Sequence, residues 1–128
     1  MNETTKQLKK RIDYWMERYG LTDWEWVVKE WPAKKLKGTM LIAKYDIPAM
    51  QVTYRVNDAV NAILVRDSAA NNTTFNYELE LLAHHEVYEV LEAPVRDAED
   101  EDEKQKEIHR VIHRVQRAHS AELLEASL

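Results

Sequence analysis

Apolar positions along the chain change period twice, and each change marks a change of element. Leu8, Ile12, Trp15 and Tyr19 recur at spacings of four, three and four, which puts them on one face of a helix from about Thr4 to Tyr19. Gly20 follows, where a left-handed helix cap is wanted. The period then becomes two. Residues 24–31 are dense in aromatic and β-branched side chains, with Trp24, Trp26 and Val28 on one side, and Pro32 stops this strand. Residues 33–38 read as a basic turn, and residues 39–45 as a second strand. Residues 51–56 alternate, so Val52, Tyr54 and Val56 share a face. After an Asn57-Asp58 turn, the run Ala-Ile-Leu-Val-Arg at 62–66 is expected to be a short final strand. The proline positions place at least one strand at an edge.

The helical period then returns. Residues 67–74 are rich in Asp, Ser, Asn and Thr and are expected to be a loop, with Asn72, Thr73 and Thr74 all able to cap a helix. That helix is predicted from about Phe75 to Glu92, with Pro94 marking its end. An acidic connector over 97–103 suits the first turn of a last helix through the helix dipole. The last helix is expected to reach about Ala126, with Ile108, Val111, Ile112 and Val115 as its apolar stripe. The predicted class is α+β: an N-terminal helix, a small three- or four-stranded sheet, then two C-terminal helices, in a single domain over residues 1–128.

Composition narrows the classes of function. With 128 residues, 45% hydrophobic and 32% charged, the chain is an ordinary globular length and balance. It has no apolar run long enough to span a bilayer and no secretory leader pattern, so a cytoplasmic protein without membrane contact is expected. Cysteine is absent, which excludes disulfides and thiolate metal sites and leaves His and carboxylate as the strong ligands. The net charge of −5 makes nucleic acid an unlikely partner, and the lysines at 34, 35 and 37 read as a solvated turn. Trp15, Trp24, Trp26 and Trp31 are expected to be core aromatics.

The chemistry concentrates in residues 81–91, Leu-Leu-Ala-His-His-Glu-Val-Tyr-Glu-Val-Leu. Polar groups in an otherwise apolar helical run are costly to bury unless paired or metal-bound. His85 and Glu89, four apart, project from the same side of a helix, with Glu86 beside them. This is the spacing of the His-Glu-x-x-His motif, in which the outer residues hold a divalent metal and the inner glutamate takes a proton from the attacking water. Here Glu89 stands where the motif has its second histidine. His84 has Tyr88 four residues on and is expected to be a packing or hydrogen-bonding residue. A third ligand is expected from the last helix if it folds back on the motif helix. Glu103, Glu107 and His109 are in sequence reach, with Glu107 preferred and His109 next; His113 lies further around the helix and His119 further along it. The bland alternative is that His85, Glu86 and Glu89 form the polar face of a half-exposed helix.

The chain resembles the small phage and prophage zincin-like metallopeptidases, distant relatives of SprT-like proteins. The resemblance spans most of the chain. It rests on Arg11-Ile12-Asp13-Tyr14-Trp15, on Gly20-Leu21-Thr22-Asp23-Trp24, on the motif helix running into Leu91-Glu92-Ala93-Pro94, and on the Arg-rich last helix. It implies a compact sheet-plus-helix fold, a divalent metal (zinc first), Glu86 as general base, a peptide or protein substrate, and the host cytoplasm if phage-encoded. The departure at Glu89 leaves two readings open: a metallopeptidase with an altered ligand set, or a non-catalytic interaction domain on the same fold.

Overall fold

The computed structural model describes residues 1–98 and 100–118. Its element order is α1 (Glu3–Arg18), β1 (Glu25–Trp31), α2 (Ala33–Leu36), β2 (Leu41–Asp46), β3 (Gln51–Asn57), α3 (Val60–Asn71), α4 (Phe75–Asp97) and α5 (Glu101–Ala118). The α+β class holds: an N-terminal helix, a three-stranded mixed sheet and C-terminal helices.

Helix α1 begins at Asn2, whose Oδ1 accepts the Thr5 amide at 2.9 Å, satisfying one of the free amides of the first turn. Past its C-cap Tyr19 comes Gly20, whose φ of +67° is the left-handed geometry glycine adopts without strain. The Leu21 amide reaches back to the Met16 carbonyl at 2.8 Å and the Gly20 amide to Glu17 at 3.0 Å, a Schellman pair. Leu8, Ile12, Met16 and Tyr19 are buried on its inner face.

The strand order is β1-β3-β2, with β1 parallel and β2 antiparallel to the central β3. Val52, Tyr54 and Val56 of β3 are buried, as their alternation predicts. The same face carries Leu41, Ala43 and Tyr45 of β2, paired with Val56, Tyr54 and Val52. Trp26, also inward, donates its indole N–H to Asp13 of α1 at 2.6 Å. Trp31 departs from expectation. It belongs to the outward set of β1, where Arg55 lies 4.2 Å from its ring centroid and Lys35 5.5 Å, so it is a cation–π platform on the open face.

The expected fourth strand is a helix. Residues 62–66 sit inside α3, where Val60 and Leu64, one turn apart, are buried and Val65 is exposed. Asn57 Oδ1 accepts the Ala59 amide at 2.8 Å and turns the chain out of β3 into this helix. The loop expected over 67–74 shortens accordingly, to a turn at Asn72 with φ +54°. Thr74 then caps α4, its hydroxyl accepting the Tyr77 amide at 3.1 Å. Helix α4 does not stop at Pro94. The proline withholds one amide from the ladder, yet Val90, Leu91 and Ala93 are buried around it and the helix continues to Asp97. Residues 33–36, expected as a turn, form the single helical turn α2. The predicted continuation of the last helix to Ala126 lies outside the described residues, as does His119.

The helices lie against the inner face of the sheet. Trp15 donates its indole N–H to Glu80 at 2.6 Å and Arg11 pairs with the same carboxylate, tying α1 to α4. Tyr54 reaches the Glu86 carbonyl from β3 at 3.4 Å, fixing the middle of α4 over the sheet. Arg114 of α5 donates to the Gly20 carbonyl at 2.5 Å and pairs with Asp23 at 3.3 Å, so the last helix folds back to the end of the first. No helix among the described residues is long and apolar enough to cross a membrane.

Candidate metal centre

The candidate centre occupies just over one turn of α4, whose inner side is held by Ala83, Val87 and Val90 in the core. Packing of these residues fixes the helix rotation, and rotation sets where the polar residues point. His85 turns outward and is 65% exposed at its side chain, Glu89 is 35% exposed, and Glu86 is 9% exposed. His85 Nε2 and Glu89 Oε1 lie 3.3 Å apart. One ligand atom each from His85, Glu86 and Glu89 falls within 4.8 Å of the other two, so this group could hold a metal ion.

The donor set passes a simple geometric test. Bonds of about 2.1 Å in tetrahedral array put neighbouring ligand atoms about 3.4 Å apart. The His85–Glu89 separation already matches, and a Glu86 oxygen lies within 4.8 Å of both ligand atoms, near enough to join them or to face a bound water. One imidazole and two carboxylates form a harder set than the two-histidine motif, and harder sets also suit manganese or iron.

Electrostatics gives the cluster a reason to attract a cation. Burial pushes the Glu86 carboxyl up to about 7, and the Glu89 charge adds to the push. Among the described residues no side chain donates a hydrogen bond to the Glu86 carboxylate. Tyr54 is pushed well above the ordinary phenol range, chiefly by burial. Tyr45 is shifted the same way, first by burial, then by the charges of Glu89 and Glu86, with Arg96 opposing.

Among the described residues, those expected to complete the site are not part of the three-residue group. Glu107, on α5, accepts a hydrogen bond from Arg110 at 2.9 Å and lines a cleft with Trp24, Met50 and Pro94. Pro94 is nine residues beyond His85, which at about 100° per residue places it on the opposite side of α4. His109 is exposed on α5, and Glu103 lines the same region as Asp97 and Glu107. Neither Glu107 nor His109 belongs to the three-residue group. His84 takes the expected packing and hydrogen-bonding role: its Nε2 lies 2.6 Å from the Tyr19 hydroxyl, and its ring meets Trp15 edge-on at 4.6 Å. Sequence spacing missed Tyr45, which comes to α4 only through the pairing of β2 with β3. The one available signal was its place in an alternating strand beside the motif helix. Against models of protein families, against curated proteins and against solved structures, the chain finds no match.

Proposed function

We propose that this chain is a zincin-like metal-dependent hydrolase acting on peptides, with an altered ligand set in which Glu89 replaces histidine. The carrying observation is the grouping of His85, Glu86 and Glu89 on one face of a core-anchored helix, within 4.8 Å of one another. A bare polar helix face has no need to bury one of its carboxylates, and Glu86 is buried beside a second carboxylate that opposes its ionisation. His85 and Glu89 would hold the cation, zinc before manganese or iron. Bound there, the cation would polarise the attacking water and the scissile carbonyl. Glu86 would take the proton from that water and pass it to the leaving amine. Strand β2 is an edge strand of the sheet among the described residues, which supports an extended peptide lying beside it as an added strand.

The test is dialysis against zinc followed by elemental analysis of wild type and Glu86→Gln. Wild type should retain close to one equivalent. The variant should keep the metal and lose peptide hydrolysis, because an amide cannot accept the proton. Loss of metal from the variant would move Glu86 into the ligand set, and failure of wild type to bind any divalent ion would end the metal reading.

A non-catalytic interaction domain is the second reading, favoured by one observation. Tyr77, Leu81 and Tyr88 of α4 are exposed at spacings of four and seven, a stripe suited to a protein partner. A chain that binds no metal but elutes with a partner through this stripe would support it.

A further inference from the structure

The hydroxyl of Tyr45 is shut off from solvent, and its O–H reaches no acceptor among the described residues; the one side chain beside its oxygen that can hydrogen-bond is Arg96, which can only donate. A buried phenolic O–H without an acceptor is a liability that phenylalanine would avoid at the same shape. Its position makes the liability informative. Tyr45 pairs with Val52 across the β2–β3 ladder and shares the sheet face of Tyr54, whose own hydroxyl reaches the Glu86 carbonyl. Tyr45 therefore projects from the edge strand toward the turn of α4 that carries the candidate ligands. Glu89 and Glu86 are the two carboxylates that act on it electrostatically, Glu89 the more strongly. Arg96, the cation on the same side, donates to the Glu89 carbonyl at 3.2 Å, lies 3.7 Å from Glu92 and faces the Tyr45 oxygen, and having no acceptor it leaves the phenolic proton unplaced.

We propose that Tyr45 is a positioning residue for the metal site, its phenolic O–H donating to a ligand carboxylate of α4 when a divalent cation draws that carboxylate into place. This inference rests on the metal reading above. A metal-bound carboxylate keeps a free lone pair, and a neutral donor from the next layer holds it in the orientation binding requires. Without the cation, the Glu89 charge opposes ionisation of Glu86, neither carboxylate is held by a metal, and the phenolic O–H is left without an acceptor. The hydroxyl thus costs stability in the metal-free protein and recovers it on loading. A residue kept only for packing would not behave this way.

The experiment is Tyr45→Phe, read two ways on the full chain. Thermal unfolding with chelator compares metal-free wild type and variant, and calorimetric titration with zinc and then manganese compares affinities. The variant should melt at the same temperature as wild type or higher when metal-free, and should bind zinc roughly 10- to 100-fold more weakly. Equal zinc affinity in the two proteins overturns the role of Tyr45 and leaves the metal site standing. A lower metal-free melting temperature in the variant also overturns it, because the hydroxyl would then be bonded without the cation. Absence of zinc and manganese binding by wild type itself defeats the metal reading and this inference together.

Discussion

Glu86 offers the sharpest quantitative test, because its ionisation and the fold oppose each other. Its carboxyl is held at about 7 against an ordinary 4.5, chiefly through burial. A group whose folded value is raised lends stability that is fully present below its unfolded value and is lost as pH rises through the folded one. Below pH 4.5 the protonated carboxyl and an amide are near-equivalents in shape and charge. Between pH 4.5 and 7 the wild type must either hold the proton or bury a charge beside Glu89. At about 1.4 kcal/mol per pH unit, the accumulated cost by pH 8 is about 3 kcal/mol. The residue is 9% exposed, so solvent screening relieves little of it. Domains of this size are stable by roughly 5–15 kcal/mol in total, so the effect is large. Urea unfolding of metal-free wild type and Glu86→Gln, each at pH 4 and pH 8, measures it. The two proteins should be alike at pH 4, and the variant should be more stable at pH 8 by about 3 kcal/mol. Equal differences at both pH values would refute the argument, since only a titrating group produces a pH-dependent gap. Saturating zinc should close the gap at pH 8, because a cation favours the ionised carboxylate.

Two further predictions concern separate features. Glu89→His should raise zinc affinity in a calorimetric titration if the outer pair of α4 holds the cation, and an unchanged or lower affinity counts against that geometry. Gly20→Ala should cost roughly 1–2 kcal/mol in urea unfolding, because its φ of +67° is strained for any Cβ-bearing residue even though nothing crowds the added carbon. A neutral result there would mean that the α1 cap relaxes without loss.

Much of the fold was written in local periods. Leu8, Ile12 and Tyr19 mark the buried face of α1, and Val52, Tyr54 and Val56 that of β3, because burial of one face imposes the spacing directly. The run at 62–66 misled because a short apolar, β-branched stretch is compatible with strand or helix, and tertiary packing decides. There the decision came from Asn57 turning the chain and from Val60 and Leu64 docking one turn apart. Pro94 misled in the other direction: its neighbours' burial outweighs one missing amide. The same division holds at the site. His85, Glu86 and Glu89 were legible because a single helix turn brings them together. The positions of Glu107 and His109 depend on how α5 crosses α4, which no local spacing records. Tyr45 depends on strand order, and a pattern of alternate residues does not state which strand lies beside which.

The strand order also bears on how the chain folds. β3 is last in sequence among the strands but central in the sheet. Its pairing with β2 closes a short turn, Asp46 opposite Gln51, whereas its pairing with β1 joins Glu25 to Gln51 across the whole intervening segment. Closing the longer loop carries the greater entropic cost. The β2–β3 hairpin is therefore expected to form first and to offer its inner edge as the template on which β1 aligns. The strand that carries Tyr45 would then be in register before the core closes over it. Hydrogen-exchange labelling during refolding should find β2 and β3 amides protected ahead of β1, and the reverse order would exclude this route.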